Sequence, residues 1–321
     1  MAKGQQKTNK EAKKPKKDTS PPKAPSGAEP VRATITTAVI PRGKIKNKSI
    51  AGPSRLTHPR VRFFVESPGE IGPMQLQEVL YSQGFGTRRV YAGLIQQGYV
   101  QVYDSAQGGL ARNCTDAAAQ FEAPGLRFRV QGVDWPYCDK AYLLLHKPAG
   151  TECSQKPSTY PSVYTLLPSP LRTRPQKAAV QGVQAVGRLD QDTTGMLLLT
   201  DDGKFIHRMS SPRHHVPKVY EVTVKHPLDD GQLARLLSGV VLDDDPKPVR
   251  AAACEAAGPL HLRLTLTEGK YHQVKRMLAA VGNRVEGLHR SQIGGLALPL
   301  DLAPGHWCWL WPAQLALLAP A

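Results

Sequence analysis

The chain has 321 residues, enough for about two domains plus tails, and carries a formal net charge of +16. Its five cysteines form no Cys-x-x-Cys pair, which argues against a disulfide framework or a zinc site and favours a reducing compartment. No apolar run approaches the roughly 18 residues of a membrane span, and the first residues lack the apolar core of a secretory signal. We therefore expect a cytoplasmic protein with no membrane segment.

The positive charge is concentrated at the start of the chain. Residues 1–60 hold 15 basic and 3 acidic side chains, a net charge of +12. The first aromatic residue is Phe63, so this segment cannot bury a core, and residues 1–70 are predicted to be a disordered basic arm. A lysine-rich arm is typical of proteins that attract RNA or DNA. A solubilising tail with no specific partner is an equal alternative.

Residues 74–137 predict a small α+β module. Leu76, Val79 and Leu80 form the apolar face of one helix, and Val90, Leu94 and Ile95 mark a second. Alternating strands follow at 99–103 and 127–130.

This order resembles the S4 RNA-binding domain, in which a helix pair lays basic residues on structured RNA. Arg88 and Arg89, at the start of the second helix, match the basic positions of that pattern. Two solvated helix charges without a ligand remain the alternative.

A carboxylate stands on a short loop before a core strand. Residues 186–195 contain Asp190 and Asp192, are bracketed by Gly187 and Gly195, and precede the apolar run 196–200. Loops held by a rigid scaffold often carry catalytic groups. For this loop taken alone, turn formation by the two aspartates is the more common explanation.

The rest of residues 140–321 alternates between strands and helices. An apolar strand is predicted at 142–145, and half-buried strands at 220–224 and 260–266. A helix is predicted to open at Glu268, with an apolar stripe of Tyr271, Val274, Leu278 and Val281.

Several chemistries have no signature in this chain. The pair His214-His215 has no third ligand at metal spacing, and no phosphate-binding Gly-rich loop or nucleophile elbow is present. A fixed carboxylate, an aromatic residue and a cluster of cations remain. That set suits a flipped-out base stacked on the aromatic ring, beside a carboxylate balanced by a cation.

The motifs of this region resemble those of the pseudouridine synthases, and specifically the RsuA branch. They are Gly187-Arg188-Leu189-Asp190, Thr193-Thr194-Gly195, Ser211-Pro212-Arg213-His214-His215, Lys218-x-Tyr220, the run 268–277 and the run 288–295. The resemblance implies an α+β protein with an S4-like domain at 74–137 and a catalytic domain at 140–321. The catalytic domain would have a curved mixed or mainly antiparallel sheet.

The resemblance also implies roles for single residues. Asp190 would be the nucleophile or essential carboxylate, Tyr220 would stack on the target base, and Lys275 would be the basic partner of Asp190. Substrate-binding positions would be Arg188, Thr194, Arg213, His214, Lys218, His272, Arg276, Arg88 and Arg89.

The reaction implied is isomerisation of uridine to pseudouridine in ribosomal RNA, at position 516 of the small-subunit 16S RNA, by a monomer with no cofactor and no metal. Two alternatives stay open: a synthase of the same branch acting on large-subunit RNA, and a non-catalytic ribosomal-RNA-binding assembly factor.

Overall fold

The computed structural model describes residues 72–104, 109–176, 181–243 and 245–318. These residues belong to one compact unit of the chain, which spans 61–321. The basic arm predicted for residues 1–70 lies outside the described residues. No helix in the described part of the chain is both long enough and apolar enough to cross a membrane.

The first part of the described chain contains two helices and short strands. Its elements are β1 (Met74–Gln75), α1 (Leu76–Ser82), α2 (Arg88–Gln96), β2 (Val100–Asp104), β3 (Leu110–Asn113), β4 (Gln120–Phe121), β5 (Arg127–Val130) and β6 (Val133–Pro136). Strands β3-β2-β5-β6 form an antiparallel sheet in that order, and β1 pairs with β4. The predicted order of helix, helix and strand is observed.

The apolar face predicted for α1 is confirmed, because Leu76, Val79 and Leu80 are fully buried. The prediction for α2 is wrong at Val90, which is 52% exposed. The large ring of Tyr91 takes the core position instead, and Ile95 follows it one turn later on the same face.

The second part of the chain is organised around a nine-stranded sheet. Its strands are β7 (Tyr142–Lys147), β8 (Gln184–Ala185), β9 (Thr194–Thr200), β10 (Lys218–Val224), β13 (Ala253–Gly258), β14 (His261–Leu266), β15 (Val285–Ile293), β16 (Leu296–Ala297) and β17 (Trp307–Trp309). The order is β13-β14-β10-β15-β9-β7-β17, with β16 beside β15 and β8 beside β9. All pairs are antiparallel except β15 with β9, so the predicted mixed, mainly antiparallel sheet is confirmed.

Five helices and a ribbon accompany this sheet. They are α3 (Ser169–Thr173), α4 (Gly203–Ser210), α5 (Asp230–Ser238), α6 (Gln273–Ala280) and α7 (Pro312–Ala316), with the ribbon formed by β11 (Val240–Leu242) and β12 (Asp245–Val249).

The central strand β9 is buried on both sides. Leu197 and Leu199 belong to the larger apolar cluster, which includes Val274 of α6. Met196 and Leu198 belong to a second cluster with Phe205 of α4. Because successive side chains of a strand point to opposite faces, a strand covered on both sides reads as a continuous apolar run. The core strand predicted at 196–200 is confirmed.

A buried arginine joins the two parts of the described chain. The side chain of Arg174, with 3% of its surface exposed, pairs at 2.6 Å with Asp201 after β9. Its Nη1 donates to Gln83 Oε1 at 2.7 Å, and its Nη2 donates to the carbonyl oxygen of Cys138 at 2.7 Å. The position of the small module relative to the large sheet is therefore set partly by one guanidinium group.

Candidate active site

The loop that carries Asp190 has a shape that only glycine permits at its end. Gly195 has a φ of +103°, and a Cβ at this position would collide with the carbonyl oxygen of Arg290 on the neighbouring strand. The backbone N–H of Thr193 donates to the carbonyl oxygen of Asp190 at 3.2 Å, which closes the turn. The backbone of Asp190 is thus fixed between a tight turn and the start of β9.

A buried lysine side chain also holds the backbone of this loop. Lys147 is fully buried, and its Nζ donates to the carbonyl oxygens of Pro148, Gln191 and Thr193 at 3.1, 3.2 and 2.9 Å. Burial lowers the pKa of this ammonium group, as expected for a charge held away from water. Lys147 therefore organises the backbone on both sides of Asp192.

The carboxylate of Asp190 meets two side chains from the α6 region. Lys275 Nζ lies 3.1 Å from Asp190 Oδ2, and His272 Nε2 lies 3.3 Å from Oδ1. Asp190 and Lys275 each expose 27% of their side-chain surface, so a substrate can reach the pair while water only partly solvates it. The structure thus brings together Asp190, Lys275 and His272, three residues that the sequence analysis assigned to the site.

Lys275 is shared with a second carboxylate. Its Nζ lies 2.7 and 2.9 Å from the two oxygens of Asp192, whose side chain is 53% exposed. Burial lowers the pKa of Lys275, but hydrogen bonds to Asp192 and Asp190 outweigh it, and the pKa is raised. For Asp192, burial raises the pKa, and the hydrogen bond from Lys275 more than offsets it, so the pKa is lowered. Asp192 and Lys275 are therefore both charged near neutral pH.

The start of α6 differs from the sequence prediction. The helix begins at Gln273 rather than at Glu268, because His272 adopts a left-handed conformation with φ +47°. Residues before His272 therefore do not continue the helical spacing of the residues after it. Tyr271, predicted in the buried stripe, is instead 70% exposed, whereas Val274 and Leu278 are buried as predicted.

Tyr220 and Arg290 are cross-strand neighbours on β10 and β15. Tyr220 is 8% exposed and Arg290 is 3% exposed. The Nε of Arg290 donates to the carbonyl oxygen of Met196 at 2.8 Å, which ties β15 to the strand that follows the Asp190 loop. Directly opposed residues share one face of a sheet, so the ring and the guanidinium group lie side by side.

Lys218 lies two residues before Tyr220, on the same face of β10. Its Nζ donates to the carbonyl oxygen of Val216 at 2.8 Å. Burial, together with the positive charge of Arg290, lowers the pKa of Lys218 to about 8. The two cations therefore add to the positive potential beside Tyr220.

Of the other residues predicted to bind substrate in this region, three are exposed and two make hydrogen-bond contacts within the protein. Arg188 is exposed, as are Arg213 and His214 in the short 3₁₀ turn Pro212–His214. The Oγ1 of Thr194 lies 2.9 Å from His289 Nδ1, and Arg276 Nη1 donates to the carbonyl oxygen of Tyr271 at 3.2 Å.

Arg88 and Arg89 are exposed and form the first two positions of α2. Positive charges at a helix N-terminus are unfavourable to the helix dipole, so they do not stabilise α2. Their placement is consistent with the predicted contact to RNA, which stays a prediction.

Sequence reasoning missed three residues that shape the site: Lys147, Asp192 as a partner of Lys275, and Arg290. The sequence held a signal for Lys147, since a lysine that directly continues an apolar strand has to find partners inside the protein. Asp192 was interpreted as a turn former, and nothing in its local sequence indicates Lys275.

Comparison with known proteins identifies the family of this chain. Residues 141–280 match the RNA pseudouridylate synthase family. The protein named ribosomal small subunit pseudouridine synthase A from Yersinia pestis is 44% identical over 175 residues, 54% of this chain and 71% of that protein. Its namesake from Escherichia coli (strain K12) is 43% identical over 175 residues, 54% of this chain and 72% of that protein.

A solved structure described as a pseudouridylate synthase superposes with a TM-score of 0.51 and 31% sequence identity, over 77% of this chain and 100% of that one. The chain belongs to the RNA pseudouridylate synthase family. The resemblance inferred from the motifs is confirmed.

Proposed function

We propose that this protein converts one uridine of small-subunit ribosomal RNA to pseudouridine, at position 516 of 16S RNA, with Asp190 as the essential carboxylate. The observation that carries the proposal is the pairing of Asp190 with Lys275 at 3.1 Å, at the rim of a loop fixed from both sides. The choice of small-subunit RNA is supported by the names of the relatives, which are 43–44% identical over 175 residues.

The reaction is an isomerisation, so atoms balance within the nucleotide. The bond between uracil N1 and ribose C1′ breaks, the uracil turns, and C5 forms the new bond to C1′. The hydrogen leaves C5, and N1 gains a proton. Asp190 would act on the nucleotide as nucleophile or essential carboxylate, and Lys275 would hold that carboxylate in position by a charge-assisted hydrogen bond.

The pocket for the base would be completed by Tyr220. Its ring lies on the sheet, and Lys218 and Arg290 give that face a positive potential suited to the phosphates of a flipped nucleotide. Base flipping into a partly enclosed site is how enzymes reach atoms that a stacked helix hides. The chemistry described needs no cofactor or metal.

RNA outside the pocket would be held by basic side chains. Arg88 and Arg89 on α2, with Arg213 and His214 on the turn after α4, are exposed donors for phosphate oxygens. His272, Arg276, Arg188 and Thr194 would contact the nucleotides nearest Asp190. The proposal places the protein with ribosomal RNA in the cytoplasm, as a monomer.

The experiment that tests this proposal is a map of pseudouridines in the ribosomal RNA of a strain that lacks the protein. We expect one small-subunit pseudouridine to disappear and to return with the wild-type gene but not with Asp190→Asn. Loss of a large-subunit pseudouridine would favour the alternative of a synthase that acts on large-subunit RNA. An unchanged map with defective ribosome assembly would favour a non-catalytic role.

A further inference from the structure

Tyr271 is an exposed aromatic ring held in place beside the reacting carboxylate. Its ring stacks on that of His272, with centroids 3.8 Å apart and planes 20° from parallel. Yet 70% of Tyr271 is exposed, so the other face of the ring is open to solvent. An aromatic ring with one open face is the kind of surface on which nucleic-acid bases stack.

The stack leads directly to Asp190. His272 Nε2 lies 3.3 Å from Asp190 Oδ1, and Tyr271 covers the ring of His272. The left-handed conformation of His272, with φ +47°, places these two rings outside the helix. Non-glycine residues rarely adopt this conformation, and strained backbone of this kind often accompanies function.

The backbone around the ring is anchored on both sides. Arg276 Nη1 donates to the carbonyl oxygen of Tyr271 at 3.2 Å, and Lys270 Nζ pairs with Asp245 at 2.6 Å. The ring is therefore positioned by neighbours that do not cover it. Binding to an ordered ring loses less conformational entropy than binding to a mobile one.

We propose that Tyr271, supported by His272, is a stacking platform for the nucleotide next to the target uridine. This inference rests on the proposed function. When the uridine leaves the helix stack for the pocket, the neighbouring base loses a stacking partner. The open face of Tyr271 replaces that partner, and the neighbouring phosphates meet the cations of the 270–276 segment.

The ring of Tyr271 is placed to stack on the base next to the target uridine rather than on the target base itself. The target has to reach Asp190 and the buried ring of Tyr220, whereas Tyr271 lies on the outer side of the His272 ring. Stacking on an aromatic ring tolerates any base, so the platform contributes affinity and positioning rather than sequence choice.

The test measures pseudouridine formation by the full-length chain on a 16S RNA fragment centred on position 516. Three variants are compared with the wild type: Tyr271→Leu, Tyr271→Phe and, as a matched control, Tyr160→Leu, which alters another exposed tyrosine of the catalytic half. Each protein is assayed on the natural fragment and on two fragments with an abasic nucleotide on the 5′ or 3′ side of the target.

We expect Tyr271→Leu to lower kcat/KM roughly ten-fold on the natural RNA, and Tyr271→Phe and Tyr160→Leu to stay within about two-fold of wild type. On one of the two abasic fragments the difference between wild type and Tyr271→Leu should disappear, because the base that stacks is missing. That fragment identifies which neighbour stacks.

Three results would overturn the platform alone, and a fourth would overturn the proposed function together with it. Equal activity of Tyr271→Leu and wild type on natural RNA would mean that the ring does not contact the substrate. An unchanged loss on both abasic fragments, or failure of Tyr271→Phe to restore activity, would mean that Tyr271 acts on the local fold. Absence of pseudouridine with the wild-type protein would instead refute the proposed function, and the platform with it.

Discussion

The ammonium group of Lys275 lies 3.1 Å from the carboxylate of Asp190. Both side chains are 27% exposed, so water screens the pair less than it screens a surface ion pair. The pairing with Lys275 therefore orients the carboxylate of Asp190 in the absence of substrate. The second carboxylate, Asp192, binds the same Nζ at 2.7 Å and limits the positions that Lys275 can adopt.

The role of Lys275 can be separated from that of a surface charge. We expect Lys275→Ala to reduce kcat strongly, and Lys275→Arg to retain more activity, because a guanidinium group keeps the charge with different geometry. Single-turnover assays, with enzyme in excess over RNA and above the Kd, would measure the rate of the chemical step directly. Equal activity of the two variants would make the adjacent Arg276 the better candidate.

Tyr220 is predicted to stack on the target base. Tyr220→Phe should keep the ring and RNA affinity, whereas Tyr220→Ala should lose stacking worth about 1–3 kcal/mol and slow turnover sharply. Tyr220 is also buried, so truncation to Ala is expected to lower the free energy of unfolding by about 3 kcal/mol. Thermal unfolding of both variants shows which part of the loss comes from stability. Full activity of Tyr220→Ala would contradict the role.

Lys218 is predicted to lower the free energy of unfolding and, at the same time, to contribute to RNA binding. Its pKa is about 8 in the folded protein against an ordinary value of 10.5, so the unfolded chain binds more protons between these values. Stability therefore rises as the pH increases through this window. The cost at neutral pH is about 2 kcal/mol once solvent screening of this partly exposed group is included.

Replacing this lysine tests the prediction. Lys218→Met should raise the free energy of unfolding at pH 7 by about 2 kcal/mol, and the gain should shrink towards pH 10.5. RNA affinity should fall, because a cation is lost. Lys204→Met removes an exposed lysine from α4 and serves as the charge-matched control. A destabilised Lys218→Met, or a gain that is constant with pH, would refute the account of Lys218.

Arg174 is expected to carry much of the connection between the small module and the large sheet. Arg174→Met leaves the buried carboxylate of Asp201 without its partner and should cost about 3–5 kcal/mol of stability. Arg263→Met breaks the exposed pair with Glu221 and should cost less than about 1 kcal/mol. Urea unfolding of both variants provides the comparison, and similar losses would show that Arg174 has no special role.

Several features of the fold were accessible from sequence because their cause is local. The apolar run 196–200 is buried on both faces, as its composition predicts, and the glycine at 195 marks the close approach of a second backbone. The pairing of Asp190 with Lys275 came from the resemblance of the motifs. No local pattern joins residues that far apart in the chain.

Other features depend on tertiary geometry that sequence patterns do not contain. Arg174 and Gln83 are 91 residues apart, and their contact exists only because two separate parts of the chain pack together. The spacing of Tyr271 predicts a place in the buried stripe of a helix. The helix instead begins at Gln273, directly after the left-handed His272, so Tyr271 lies outside it. The sequence prediction is wrong at this point beside Asp190, and departures from local rules are expected most often at functional or strained sites.

The most direct test of the central claim is the reaction of Asp190→Asn with 16S RNA that carries tritium at C5 of uridine. Formation of the new C5–C1′ bond releases the tritium to water, so the assay counts turnovers. We predict that the wild-type protein releases the tritium of one uridine per RNA. The near-isosteric Asp190→Asn variant should release none, while its Kd for the RNA stays within a few-fold of wild type, because affinity comes from many phosphate contacts. Substantial tritium release by Asp190→Asn would contradict the assignment of Asp190 as the essential carboxylate.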